Sequence, residues 1–329
     1  MTVVPAAFAR AVDAALEATV VCSFSRIGYE VRSRLDRWTD VAELPGTGRR
    51  VLVTGANSGL GYATVAGLLR AGADVLFTVR SKAKGDATLQ RLQEDLGAGP
   101  AARASYDVLD LASFASVRAF ARRRHEDGMA LHAIVHNAGA LFDTREETVD
   151  GLERTYQIHV VSPFLLTALL LPRLTETAPA RVVTVTSGGM YAEKLVARTV
   201  DSPHDYRGTV AYARAKRAQV VLTREWARRF GGRGVAFHAV HPGWALTPGV
   251  ESSLPGFRKV MGPILRDAEQ GAETTTFLTL ADDLPTDGRL WHDRRARAAH
   301  KVPWTLPDRG EAGELWARVC RDAAIDPQA

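Results

Sequence analysis

Hydrophobic and polar positions follow two periods along most of this chain, and the switches between them lay out its architecture. Short apolar runs that suit buried strands end at Thr54, Val79, near Tyr106, at Val135, Thr186 and Val240. Between them, longer stretches repeat apolar residues three and four positions apart, as on the buried face of a helix. Helices are expected from about Leu60 to Ala71, Lys84 to Leu96, Ser113 to His125, Thr148 to Leu174, Thr209 to Phe230 and Ala268 to Leu280, with a last strand at Arg289 to His292. Such alternation predicts an α/β fold: a single-domain, doubly wound Rossmann-type parallel sheet of about seven strands over residues 48–300, with helices on both faces.

Residues 1–47 form an N-terminal extension. Phe24, Ile27, Val31, Leu35 and Trp38 recur at helical spacing while Arg26, Arg32, Arg34 and Arg37 fall mostly elsewhere, so an amphipathic helix with a basic face is expected to lay its apolar stripe on the main domain. The same pattern leaves room for peripheral contact with an anionic membrane. The Gly- and Pro-rich segment 244–266 reads as a substrate lid, and residues 301–329 as a tail with a helix.

The stretch VLVTGANSGLG, Val51 to Gly61, reads as strand, tight turn and helix. Glycines lack Cβ, so backbone N–H groups at Gly55, Gly59 and Gly61 can approach a pyrophosphate at the positive end of the helix. The spacing G-x-x-x-G-x-G departs from the commoner dinucleotide fingerprint, and the missing Lys-Ser/Thr pair excludes a phosphate-loop NTPase. In a sheet of this kind ligands bind beyond the carboxyl ends of the strands. After the second strand comes Arg80, where a carboxylate would favour NAD, so NADP(H) is expected over NAD(H).

Composition changes this picture little. The 329 residues are 46% hydrophobic with a net charge of +5, ordinary for a globular chain. The arginine clusters at 122–124 and at Arg294, Arg295 and Arg297 are expected on solvated faces, and no nucleic-acid-binding signature accompanies them. Two cysteines fit a reducing compartment such as the cytoplasm, and no histidines stand at zinc-site spacing; His132 and His136 read as structural. The apolar run from Phe164 to Leu171 is too short to span a bilayer, and the N-terminus has no secretory pattern.

The chemistry gathers at the strand ends. Asn137, Ala138 and Gly139 follow the fourth strand, and Ser187 follows the fifth. In the next helix Tyr212 and Lys216 stand four apart on one face, where an ammonium would favour ionisation of the phenol. Together these pieces resemble the short-chain dehydrogenase/reductase superfamily: TGANSGLG at 54–61, NAG at 137–139, Ser187, YARAK at 212–216 and PGWALT at 242–247. SGGM at 187–190, KRAQVVLTREWA at 216–227, HPGWALTPGV at 241–250 and the extension look like the branch named after the mammalian dehydrogenase/reductase family member twelve.

The resemblance implies an NADP(H)-dependent oxidoreductase acting on a small-molecule carbonyl or alcohol, with a non-catalytic NADP(H) sensor as the rival; it leaves room for homo-oligomers. It makes Tyr212 the general acid/base, Ser187 the holder of the substrate oxygen, and Lys216 both an aid to Tyr212 and a ribose contact. Gly55, Asn57, Ser58, Gly59, Leu60 and Gly61 would line the pyrophosphate and adenosine side, Asp110 and Leu111 the adenine, and Asn137, Ala138 and Gly139 the ribose. Pro242, Gly243 and Thr247 would hold the nicotinamide end, and Met190, Tyr191, Leu195 and Trp244 lie where substrate contacts fall. One position departs: His159 stands where the family carries an Asn whose carbonyl binds a relay water. Pro163 lacks the N–H that would bond the His159 carbonyl. That oxygen is therefore expected to be free for the water, with His159 a further shuttle titrating near neutral pH.

Overall fold

The computed structural model describes residues 5–246 and 255–326. Strands β1 (Arg50–Thr54), β2 (Asp74–Val79), β3 (Ala104–Val108), β4 (Ala133–His136), β5 (Ala180–Val185), β6 (Val235–Val240), β7 (Leu290–His292) and β8 (Arg295–Arg297) make one sheet in the order β3-β2-β1-β4-β5-β6-β7-β8. Strands β1 to β7 are parallel, and β8 pairs antiparallel with β7. The eighth strand carries no apolar alternation to announce it. It exists because Asp293 and Arg294 both take positive φ, which closes a two-residue hairpin turn at the sheet edge.

The central strands divide their side chains between two cores. Leu52, Ile134, Val182 and Phe237 point to one face, while Val51, Val53, Val135, Val183 and Val240 point to the other. Against the first face lie α6 (Phe114–Glu126), α7 (Arg154–Glu176), α8 (Gly208–Phe230) and α11 (Glu311–Asp322); against the second lie α4 (Gly59–Arg70), α5 (Lys82–Leu96) and α10 (Ala268–Leu280). A short helix, α9 (Pro255–Met261), precedes α10. Helix α7 starts later than its apolar pattern suggests: Gly151 makes a turn at φ 76°, and the Glu153 carboxylate then caps the N–H groups of Thr155 and Tyr156. It is long and apolar enough to cross a membrane by composition, yet 67% of that window is buried within the protein. The tail helix α11 belongs to the core, with Trp316 against Phe164 and Trp226 at centroid distances of 4.8 and 4.9 Å.

The N-terminal extension differs most from expectation. It forms three helices, α1 (Ala6–Ala18), α2 (Val20–Phe24) and α3 (Arg26–Leu35), broken at Thr19 and Ser25. Its polarity is inverted: Arg32, expected on the solvated face, is 1% exposed, whereas Ile27 of the apolar stripe is 45% exposed. Arg32 donates to Asp13 and Asp293, each at 2.7 Å, and Arg266 grips Asp293 through both terminal nitrogens at 2.6 and 2.9 Å. Burial opposes ionisation of Asp293, but His292, Arg266 and Arg32 overrule it and hold the carboxyl far below the usual range. The cluster at Arg294, Arg295 and Arg297 is likewise not a free solvated face: these side chains pair with Glu273, Asp36 and Asp13.

Candidate active site

The glycine turn after β1 is shaped by close approaches. A Cβ on Gly55, at φ 68°, would stand 2.7 Å from Ala138 Cα, and one on Gly61 would stand 2.2 Å from the Gly55 carbonyl. Thr54, at the strand end, accepts at its hydroxyl from the N–H groups of Asn137 and Ala138, both at 3.1 Å. Asn137 returns the contact through Nδ2, which donates to the carbonyls of Thr54 and Gly55 at 3.1 and 2.9 Å. The side-chain nitrogen expected near a ribose thus braces the two turns against each other.

Helix α4 opens after Ser58 with no side chain capping it, so its first N–H groups, from Gly59 on, are available to an anion. Asn57 and Ser58 are exposed, and Gly59 and Leu60 are half-buried, along the same rim. Arg80, just past β2, is exposed and has no ion-pair partner among the described residues, as a 2'-phosphate-binding arginine requires. These features fit an NADP(H) pyrophosphate and adenosine ribose. Asp110 folds back on its own turn, its carboxylate accepting from the Ala112 N–H, and Leu111 is buried. Pro242 and Gly243 are buried beside Arg266, where a Gly243 Cβ would lie 2.4 Å from Arg266 Nε; Thr247 lies outside the described residues.

The catalytic candidates converge. Ser187 caps a short 3-10 turn (Gly188–Ala192) on the side of α8 that carries Tyr212, and both residues remain partly open to solvent. Burial raises the Tyr212 pKa above that of a free phenol, and the nearby Ser187 hydroxyl offsets only part of the rise. Lys216, 3% exposed, donates to the Val185 carbonyl at 2.9 Å and places Nζ 5.4 Å from the Tyr212 ring centroid. Burial pushes this lysine down to about 7. Its role as a charge that lowers the phenol pKa therefore depends on the lysine regaining its proton.

His159 is at the centre of the arrangement but not in the expected way. Residues Gln157–Val161 form a π-helical turn within α7 just before Pro163, which opens the helix at the His159 carbonyl. Gln219 Nε2 donates to that oxygen at 2.8 Å and takes one of its two lone pairs. The ring does not titrate near neutrality: burial, followed by the Lys216 charge, pushes it down to about 3. The imidazole packs edge-on against Tyr212 at 5.3 Å and fits over Gly139, where a Cβ would stand 2.2 Å from Cε1.

Of the substrate-side candidates, Met190 and Leu195 are core residues at 0% and 2% exposure. Tyr191 and Trp244 instead surround Phe24, at 6.0 and 5.8 Å, together with His241 and His292. The Trp244 backbone N–H donates to the Phe24 carbonyl at 2.7 Å, so the extension is built into the base of the segment read as a lid. Sequence reasoning missed Thr54, Phe24, Gln219 and Arg266. Only Gln219 had a signal, since positions 212, 216 and 219 share one helical stripe. Among the described residues no cluster of His, Cys, Asp or Glu is arranged to hold a metal.

A glycine turn, a bare helix N-terminus and a Ser-Tyr-Lys set at the carboxyl ends of a parallel sheet define a dinucleotide-dependent oxidoreductase fold. The model of the short chain dehydrogenase family matches residues 49–256, and the chain belongs to that family. Within it the chain falls in the branch of dehydrogenase/reductase SDR family member 12: it is 34% identical to the Homo sapiens protein of that name over 280 residues, 84% of this chain and 86% of that one. It is also 35% identical to Retinol dehydrogenase 12 of Mus musculus over 260 residues, 76% of this chain and 81% of that one. Among solved structures, the Pseudomonas aeruginosa RhlG/NADP active-site complex superposes with a TM-score of 0.60 at 25% identity, covering 77% of this chain and 96% of that one.

Proposed function

We propose that this chain is an NADP(H)-dependent reductase or dehydrogenase that interconverts a lipophilic carbonyl and its alcohol. The observation that carries this reading is the meeting of Ser187, at the end of β5, with Tyr212 on α8, both partly open to solvent and backed by the buried Lys216, whose Nζ lies 5.4 Å from the Tyr212 ring centroid. The cofactor supplies the hydride, and the protein orients the reactants and manages the proton. Ser187 donates a hydrogen bond to the substrate oxygen as negative charge grows there, and Tyr212 delivers the proton to the same atom. Lys216 keeps the phenol competent by its charge and holds the ribose. The unpaired Arg80 receives the 2'-phosphate. The aromatic group of Phe24, Tyr191 and Trp244, together with the retinol-named relative, supports an apolar substrate. Screening NADPH consumption over a panel of aldehydes and ketones tests the reading. Turnover that is lost in Tyr212→Phe supports it; cofactor binding with no turnover on any lipophilic carbonyl would favour an NADP(H) sensor.

A second reading concerns location. The outer face of the extension exposes Phe8, Val20, Val21 and Ile27 at 57%, 46%, 45% and 45%, beside the exposed Arg10 and Arg26, while Asp13 and Glu17 turn inward to arginines. An apolar face with a basic rim suits an anionic bilayer surface. Co-sedimentation with phosphatidylserine vesicles, lost in Phe8→Asp/Val21→Asp, supports peripheral contact; a wholly soluble wild type with such vesicles contradicts it.

A further inference from the structure

Helix α2 has five residues, too few to stand by itself in water. Its last carbonyls have no helical partner, and groups of the main domain receive them. The Arg266 guanidinium donates from Nη2 to the Ser23 carbonyl at 3.1 Å and from Nε to the carbonyls of Phe24 and Ser25 at 3.1 and 3.2 Å, and the Trp244 N–H donates to the Phe24 carbonyl at 2.7 Å. Asp293 in turn fixes that guanidinium through two nitrogens, at 2.6 and 2.9 Å. The backbone of Phe24 is therefore held at a set depth in the domain instead of lying on its surface.

The ring points to the strand-end site. It stands edge-on to His241 at a centroid distance of 4.3 Å and to Trp244 at 5.8 Å, and it lies stacked 6.0 Å from Tyr191. A Cβ on Gly188 would come within 3.3 Å of Phe24 Cε2 and 3.0 Å of His241 Nε2, so the turn that follows Ser187 rests on these two rings with little room for a side chain between. Phe24 thus meets two turns at once: Gly188 to Tyr191 after β5, and His241 to Trp244 after β6. Ser187, Gly188, Tyr191 and Trp244 are partly open to solvent, whereas Phe24 is 3% exposed behind them. The ring is a spacer between the turn that follows Ser187 and the turn at Pro242 and Gly243.

We propose that Phe24 is a positioning residue that sets substrate specificity: the extension inserts its ring as a wedge that fixes the separation of the two turns, and hence the bulk of the group that fits beside the substrate carbonyl. Well-packed interiors relax only partly when a ring is removed, and the vacated space here borders side chains that are open on their other side. A smaller side chain at position 24 lets the Gly188 turn and Trp244 settle inward, which gives a bulky substrate room and a small one less contact. One methylene of misfit in an apolar pocket changes discrimination by about 10–200-fold, so such a change is readable. Phe24 acts through Gly188 and Trp244 without touching the reacting atoms, and this consequence for substrates rests on the reductase reading above.

Two measurements on the full chain, in Phe24→Leu and Phe24→Ala, test the proposal, the first variant guarding against a failure of the second to fold. In hydrogen exchange followed by mass spectrometry, residues 187–192 and 241–245 are expected to exchange roughly tenfold faster than in wild type while β1 keeps its protection. Unchanged exchange at both turns, or equal acceleration throughout the sheet, overturns the wedge whatever the protein turns over. On two carbonyls from the NADPH screen, one with a short linear group and one with a branched or aromatic group, the ratio of kcat/KM is expected to shift about tenfold toward the bulkier. Val21→Ala, on the exposed face of the same helix, should leave that ratio as it is. A fall of kcat/KM by the same factor on both substrates is what simple loss of folded enzyme gives, and it overturns the specificity role. Faster exchange at the two turns in a protein that reduces no carbonyl at all would support the wedge and sink the reductase reading alone.

Discussion

The strand-end site and the N-terminal extension bury polar groups by opposite means. At the strand ends, backbone geometry does the work: glycines let turns approach, and Thr54 and Asn137 join them with neutral hydrogen bonds. Where the extension docks on the main domain, fully charged groups are buried together, with Arg32, Arg266 and Asp293 at 1%, 1% and 0% exposure. Neutral bonds between neighbouring turns survive the loss of one partner at modest cost. A buried ion cluster does not, because the remaining charge is stranded. The first region should therefore respond to substitution mainly in activity, and the second mainly in stability.

The strongest response should come from breaking the cluster. Asp293→Ala leaves Arg32 and Arg266 without their shared carboxylate and should cost about 3–5 kcal/mol in urea unfolding. Glu269→Ala removes only an exposed pair with Arg70 and should cost no more than about 1 kcal/mol. If Asp293→Ala cost less than that control, the two regions would not differ as described. Smaller in energy, but confined to the site, is Arg80→Ser. Loss of a charge-assisted bond worth about 1.5–3 kcal/mol should weaken NADPH binding roughly ten- to a hundredfold while NADH binding changes little. Isothermal titration with both cofactors checks it, and equal losses for the two would remove Arg80 from the 2'-phosphate.

Lys216 crosses this divide, because it is a site residue with a stability cost. Its folded pKa of about 7 lies below the ordinary 10.5. Between those values the unfolded chain binds more protons, so stability rises with pH across that window, and the penalty is greatest below 7. Lys216→Met should therefore raise Tm, most at or below pH 7, while removing activity. In the wild type, kcat/KM should fall as pH rises through about 7, where the cofactor-free enzyme loses the ammonium. A Tm gain that was independent of pH would contradict the buried charge. The weakest response is expected from Asn57→Ala, an exposed turn residue, within about 0.5 kcal/mol by thermal unfolding.

The same contrast explains what was legible in the sequence. Strand ends could be read because β-period runs, glycines and polar residues lie close together in the chain; β6 matches the expected Val235 to Val240 in full. Tyr212 and Lys216 could be read because helical spacing puts them on one face. The extension could not. A helical wheel turns Arg32 outward, and nothing local shows that its carboxylate stands 261 residues away on a hairpin with positive φ. At His159 the neighbour Pro163 correctly signalled an opened helix, but the group that fills the opening, Gln219, comes from another element. Periodicity reports which face is buried. It does not report what meets that face.

If Tyr212 gives the proton at a site where Ser187 holds the oxygen, removing the phenol oxygen must slow the chemistry and leave cofactor binding alone. Single-turnover oxidation of bound NADPH by a carbonyl substrate, compared between wild type and Tyr212→Phe, should slow by about 10²–10⁴-fold while the Kd for NADPH stays within a factor of two or so. A Tyr212→Phe enzyme that turned over at the wild-type rate would show that the phenol does not carry the proton.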